Sequence, residues 1–174
     1  MKERKMLLLV TKECPHKCPK CANNGKDLEG LPMVSEGDFR DFSEVTITGG
    51  EPMLFDDEVF DLTQRIWKEN KDCKIYLYTS MIGKDTFAEC FNMDGVTIAI
   101  HDKETGEKLK FFLEMIQYMM DDLKTPCNIR IMYDDLDFID LNDALKATLM
   151  GIDFKEIEWL DPCPVPEDKE FYSV

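Results

Sequence analysis

Short apolar runs alternate along the chain with stretches in which apolar residues return every three or four positions. Met6–Val10 is continuously apolar, the pattern of a strand buried on both faces. Val45–Thr48, Ile75–Thr79, Val96–Ile100, Asn128–Met132 and Glu156–Leu160 are further short runs, rich in β-branched and aromatic residues, and are predicted as strands. Between them the period becomes helical. Asp56 is placed to cap a helix whose apolar face holds Val59, Leu62, Ile66 and Trp67. A second helix runs from about Glu104 to Met120 with Leu109, Phe112, Leu113 and Ile116 on one side. A third starts near Asp137, carries Leu141, Leu145 and Leu149, and stops at Gly151, a suitable C′ residue. Shorter helical turns are predicted over Ser35–Phe42 and Lys84–Phe91, and the Met and Phe stripes are assigned to the core.

Six strands alternating with helices imply an α/β fold with a parallel sheet and right-handed crossovers. On this pattern alone the sheet is either open and doubly wound or part of a barrel. In both cases reactive loops sit at the carboxyl ends of the strands. No repeat, low-complexity stretch or linker divides residues 1–174, which read as one domain. Pro162-Cys-Pro-Val-Pro166 opens an acidic tail over 162–174.

Composition narrows the class. With 44% hydrophobic and 33% charged residues among 174, the chain reads as a water-soluble globular protein. No apolar run reaches the length of a membrane span, and Met1–Lys5 leads into a strand rather than a signal peptide. Seven cysteines, an odd number, argue against a disulfide framework and for a reducing, cytoplasmic setting. A net charge of −15 disfavours nucleic acid as a partner, because phosphates would be repelled. Residues 1–26 run against this trend, with seven Lys or Arg (Lys2, Arg4, Lys5, Lys12, Lys17, Lys20, Lys26) and two acids. They form either an ordinary solvated surface or a basic collar that attracts an acidic electron donor such as a flavodoxin.

Directly after the first predicted strand, Cys14-Pro-His-Lys-Cys18-Pro-Lys-Cys21 sets three thiols within eight residues. Thiolates are soft ligands that suit iron–sulfur clusters and zinc. Three thiolates on a four-iron cluster leave one iron open to a reactant. A zinc site completed by His16 or a distant cysteine is the alternative. Val45-Thr-Ile-Thr-Gly-Gly-Glu-Pro52 follows as a strand ending in two glycines, an acid and a proline. Together, and in this order, the two motifs resemble those of the radical SAM enzymes. The resemblance implies a partial (β/α)6 TIM-like barrel and a [4Fe–4S] cluster on Cys14, Cys18 and Cys21, with S-adenosylmethionine (SAM) chelating the open iron. Reductive cleavage of SAM would give methionine and a 5′-deoxyadenosyl radical that takes hydrogen from a substrate. Gly49, Gly50 and Glu51 would line the methionine end, with Glu51 receiving the ammonium group. The Cys-Pro-His-Lys-Cys-Pro loop, Asn23 and the small size resemble glycyl-radical activating enzymes. Lys20 departs from the aromatic residue that many relatives carry before the third cysteine.

Arg130 stands in the apolar run Asn128–Met132, where a charge needs a partner. The SAM carboxylate suits its guanidinium fork, as a core Asp or Glu also would. The resemblance implies the former. Thr79 and Ser80 could reach the SAM ribose or cap the next turn. Where relatives show a serine or aspartate near Ala99, His101 and Asp102 are the available substitutes, Asp102 also being suited to N-cap the next helix. Leu160 would present backbone to adenine. Cys73, Cys90, Cys127 and Cys163 have no paired spacing and read as buried free thiols. After Leu160 too few residues remain to close an eight-stranded barrel, so a lateral opening is expected. A protein or peptide substrate that covers it is favoured over a free metabolite.

Overall fold

The computed structural model describes residues 3–18, 21, 23–24, 27–120, 127–158 and 167–174. In chain order its regular elements are β1 (Arg4–Leu9), β2 (Phe42–Thr48), α1 (Asp56–Glu69), β3 (Lys74–Thr79), α2 (Lys84–Asn92), β4 (Gly95–Ile100), α3 (Lys103–Met120), β5 (Asn128–Tyr133), α4 (Leu141–Leu149), β6 (Asp153–Glu156) and β7 (Lys169–Ser173). The fold is α/β on an open parallel sheet, the expected partial TIM-like barrel, with seven strands among the described residues instead of six. Contacts group the chain into two compact units, 1–77 with 159–174, and 78–158.

In the first unit the strand order is β3-β2-β1-β7, all parallel. Alternation along each strand puts Met6, Leu8, Val45, Ile47, Ile75 and Leu77 on one fully buried face, together with Val59 and Ile66 of α1. Asp56 is the first residue of α1 rather than its cap, and with Asp57 and Glu58 it sets negative charge at the helix's positive end. A 3-10 turn over Pro52–Phe55 precedes it, and Glu51 caps that turn.

The predicted tail corrects most clearly. Lys169–Ser173 is a strand, paired in register with β1 from Lys5↔Lys169 to Leu9↔Ser173. Its charged, short sequence conceals it, because contacts with distant residues hold it in place. Arg4 forks onto Glu170 with two bonds of 2.8 Å and lies 4.3 Å from the centre of the Phe42 ring, against which Tyr172 packs edge-on. On the opposite face Lys169 reaches Glu44 at 2.7 Å and the Thr46 hydroxyl at 2.8 Å.

The second unit pairs β4-β5-β6, again parallel. Val96, Ile98, Ile100 and Ile131 are buried with Leu109, Phe112, Leu113 and Ile116 of α3, as their periodicity implies. Asp102 caps α3 by accepting from the Thr105 amide at 2.8 Å. The sixth strand lies earlier than expected, at Asp153–Glu156, with Phe154 opposite Ile131. Gly151 ends α4 at φ 78, as a C′ residue should.

The apolar face assigned to α4 is corrected. Its helix begins at Leu141 behind the cap Asp140, and it buries Asp143 and Ala147. Leu141, Leu145 and Leu149 are 67%, 59% and 79% exposed. Periodicity locates an apolar stripe but not the direction in which the helix turns it.

Candidate functional site

The cysteine loop grows out of β1 and is bound to the loop that follows β2. Val10 continues the sheet by donating to the Thr48 carbonyl at 2.9 Å. Beyond it the Gly50 amide donates to Thr11 O at 2.6 Å and the Glu51 amide to Glu13 O at 2.7 Å. Only a residue without Cβ permits this approach. A Cβ on Gly50 would lie 2.1 Å from Glu13 O, and one on Gly49 2.7 Å from Thr11 O. At the other end of the loop, the Asn23 side chain donates to Gly49 O at 2.8 Å. The Cys14–Cys21 segment is therefore tied at both ends to Gly49–Glu51. Within it Cys21 N donates to Cys18 O at 3.2 Å, and the Asn23 amide lies 3.5 Å from Cys21 Sγ.

Cys14, Cys18 and Cys21 are not joined in disulfides. Partial desolvation raises the Cys14 pKa above its ordinary value. The charges of Glu51 and Cys21 add to this, and the His16 amide offsets part of it. The same interactions place Glu51 within electrostatic reach of the cysteine loop. Glu51 is 1% exposed and accepts from the Met53 amide at 3.0 Å. Among the described residues no three His, Cys, Asp or Glu side chains gather round a single point as one metal ion requires. Thiolates on different irons of a cluster need not converge in that way. The donor set, three thiols on a short tethered loop, suits a cluster.

The remaining candidates from the sequence lie on the second unit or outside the described residues. Thr79 and Ser80 are buried, and the Thr79 hydroxyl accepts from the Met81 amide at 2.9 Å, which is the turn-capping alternative. His101, at the carboxyl end of β4, holds Asp134 through Nδ1 at 2.6 Å. Asp134 was not legible as its partner because the two are joined only by the β4–β5 pairing. Arg130 does not stand in a buried run. Its side chain is 43% exposed, and Nε donates to Asp153 Oδ2 at 2.6 Å. The reason is that β5 borders the short strand β6, so its faces are only partly covered. Lys20, Leu160 and Pro162–Pro166 lie outside the described residues.

Cys90 and Cys127 are electrostatic neighbours that spacing did not show. The Cys127 thiol, and then burial, push the Cys90 pKa up, and the Cys90 thiol holds that of Cys127 below its ordinary value, while Cys90 Sγ donates to Thr86 O at 3.5 Å. Cys127 should therefore be alkylated by iodoacetamide at neutral pH faster than Cys90 or Cys73. Mass spectrometry of the modified peptides checks the order, and equal rates would contradict the pairing.

Among the described residues the cations of the basic collar lie at both ends of β1, and Lys2, Lys20 and Lys26 lie outside the described residues. Arg4 pairs with Glu170, while Lys5 lies 3.1 Å from Asp168, at the start of β1. The cysteine loop leaves the other end of that strand, about 20 Å away at ~3.3 Å per residue. Among the described residues the cations within the loop are Lys12, 3.7 Å from Glu29, and Lys17. No helix among the described residues is long and apolar enough to cross a membrane.

Residues 4–107 match the family model described as a 4Fe–4S single cluster domain. No curated protein matches the sequence. Among solved structures, Streptococcus suis SuiB bound to S-adenosylmethionine is similar at 14% identity with a TM-score of 0.42. The alignment covers 90% of this chain and 48% of that one. The chain thus spans about half the length of that protein, and a likeness at this level carries no argument of its own. The family match extends over more than half of the chain and contains the three thiols together with the glycine seam that ties their loop to β2. On that match the chain belongs to the 4Fe–4S single cluster domain family, and its cofactor is a [4Fe–4S] cluster.

Proposed function

We propose that the chain is a radical SAM enzyme. One observation carries the reading: the cysteine loop is fastened at both ends to Gly49–Glu51. The three thiols and a buried acid are thereby held in one small region. Cys14, Cys18 and Cys21 would hold the cluster and leave it open to SAM. Glu51 matches the SAM ammonium group in charge, and its capping bond from Met53 fixes the carboxylate's direction. Gly49 and Gly50 keep the backbone close to the loop. When bound and reduced, the cluster supplies the electron that splits SAM into methionine and a 5′-deoxyadenosyl radical able to abstract hydrogen.

In this reading His101, steered by Asp134, is oriented for the SAM ribose, and Thr79, Ser80 and Leu160 complete the nucleoside's surroundings. Arg130 binds the SAM carboxylate by exchanging Asp153, a partner of the same chemistry, for the ligand. The electron donor is an acidic protein such as a flavodoxin. It approaches the cluster through the basic collar, of which Lys12 and Lys17 are the members within the loop among the described residues. The substrate is a protein or peptide, glycyl-radical activation being the reaction favoured by the Cys-Pro-His-Lys-Cys-Pro loop. The open sheet supports a substrate large enough to exclude water.

Anaerobic reconstitution followed by dithionite and SAM tests this. The expected result is a brown protein containing iron and sulfide that releases 5′-deoxyadenosine, with turnover rising when the right protein or peptide is added. A cluster-bearing protein that never cleaves SAM would overturn the reading. In the same assay Arg130→Met should weaken SAM binding at least tenfold without loss of iron. Unchanged affinity would leave Arg130 as a partner of Asp153 alone.

A further inference from the structure

We infer that the cavity between the 3-10 turn Asp38–Asp41 and the end of α1 is a binding site for a small phosphate monoester. Glu36, Arg40, Arg65, Lys68 and Glu69 line this cavity of about 450 Å³, a volume usual for a small-molecule site. All five belong to the first compact unit. The turn leads directly into β2. The length of that strand, roughly 20 Å, therefore separates the cavity from Gly49 and the cysteine loop.

The charges of the cavity do not cancel. Both oxygens of Glu69 are engaged, Oε1 by Arg65 Nε at 3.1 Å and Oε2 by the Phe39 amide at 3.2 Å. The acids of the turn bond elsewhere. Asp38 accepts from the Ser35 amide at 2.5 Å, and Asp41 lies 3.8 Å from Arg4. Arg65 is held by Glu69, by the Ser35 carbonyl and by the Phe39 ring, 4.9 Å from its Cζ. Arg40 folds back onto its own turn, its Cζ 3.4 Å from the place a Gly37 Cβ would take. Lys68 follows Arg65 by three residues and so shares its side of α1. Among the described residues the Arg40 and Lys68 side chains have no ion-pair or hydrogen-bond partner. Two cations thus face Glu36 alone, on a chain whose net charge is −15.

The donors identify the ligand. A guanidinium offers paired planar donors that suit an oxyanion. A carboxylate brings one charge and two oxygens, whereas a phosphoryl group brings three acceptor oxygens and a charge of about −1.5 to −2. The second set matches two guanidiniums and an ammonium. A phosphoryl group by itself leaves much of the cavity unfilled, so the ligand carries an organic body, and Glu36 is an acceptor for hydroxyls on it.

Saturation-transfer NMR of ribose 5-phosphate with the anaerobically reconstituted chain tests the proposal. The ester should bind with a Kd on the order of 1 mM or tighter. Inorganic phosphate should compete more weakly than the ester binds, and ribose should give no signal. Arg40 and Lys68 are exposed, so their removal should leave iron content and far-UV dichroism unchanged. Arg40→Ala and Lys68→Ala should each weaken the ester about tenfold, as loss of a charge-assisted contact does. Lys84→Ala, at an exposed position of α2 away from the cavity, should bind as the parent does. Absence of ester binding in the parent would overturn the inference, as would affinity unchanged in both Arg40→Ala and Lys68→Ala. Inorganic phosphate competing as tightly as the ester would overturn it too, by reducing the cavity to a general anion site.

Discussion

Replacing Cys14, Cys18 or Cys21 singly by alanine should abolish the visible iron–sulfur absorbance, whereas Cys73→Ala, Cys90→Ala, Cys127→Ala and Cys163→Ala should leave it intact. The three loop thiols lie within eight residues and share one tethered segment. Removing one leaves an iron without its thiolate, and a four-iron cluster with two protein ligands is readily lost. Cys73 and Cys90 are buried, and their thiols donate to the Lys74 and Thr86 carbonyls. Iron and sulfide counts after anaerobic reconstitution, beside the far-UV dichroism of each variant, check this. Full cluster content in Cys18→Ala would refute it, as would loss of the cluster in a correctly folded Cys90→Ala.

Gly50→Ala should be nearly as damaging, although Gly50 supplies no ligand. The added methyl would stand 2.1 Å from Glu13 O, a backbone atom that cannot rotate aside. Relief requires the two loops to separate, which breaks the bonds from Gly50 to Thr11 and from Glu51 to Glu13. Overpacking of this kind costs about 1–3 kcal/mol, and each lost hydrogen bond a further ~0.5–1.5 kcal/mol. The expected outcome is a folded protein with a lowered melting temperature that binds iron poorly and surrenders it quickly to a chelator. Iron release kinetics, compared with those of the parent, measure it. A Gly50→Ala protein that retains its cluster as the parent does would show that the seam does not position the thiols.

The motif carries two requirements at once. In the radical SAM resemblance Gly49 and Gly50 serve the ligand, yet their immediate neighbours here are Thr11 and Glu13 at the start of the cysteine loop. A glycine pair after a strand signals that something approaches the backbone closely. It does not say whether that is a ligand or another segment of the chain. Arg130 shows the same limit. A cation in an apolar run announces an anion, and the structure supplies Asp153, 23 residues further on.

What the sequence determined was local. The apolar runs became β1 to β5 because the positions a strand buries against its neighbours must be apolar, and that property is written residue by residue. The thiol loop stands out for a similar reason: its three cysteines are close in the chain, so their spacing already restricts what they could hold. Tertiary structure decided whatever depends on distant partners. β7 is a strand because β1 has a free edge and Arg4, Lys5 and Glu44 meet its charges, none of which appears within Lys169–Ser173. The turning of Leu141, Leu145 and Leu149 to the outside was decided in the same way. A helix's stripe is set by its sequence, but the side that meets the sheet is set by the strands on which it packs.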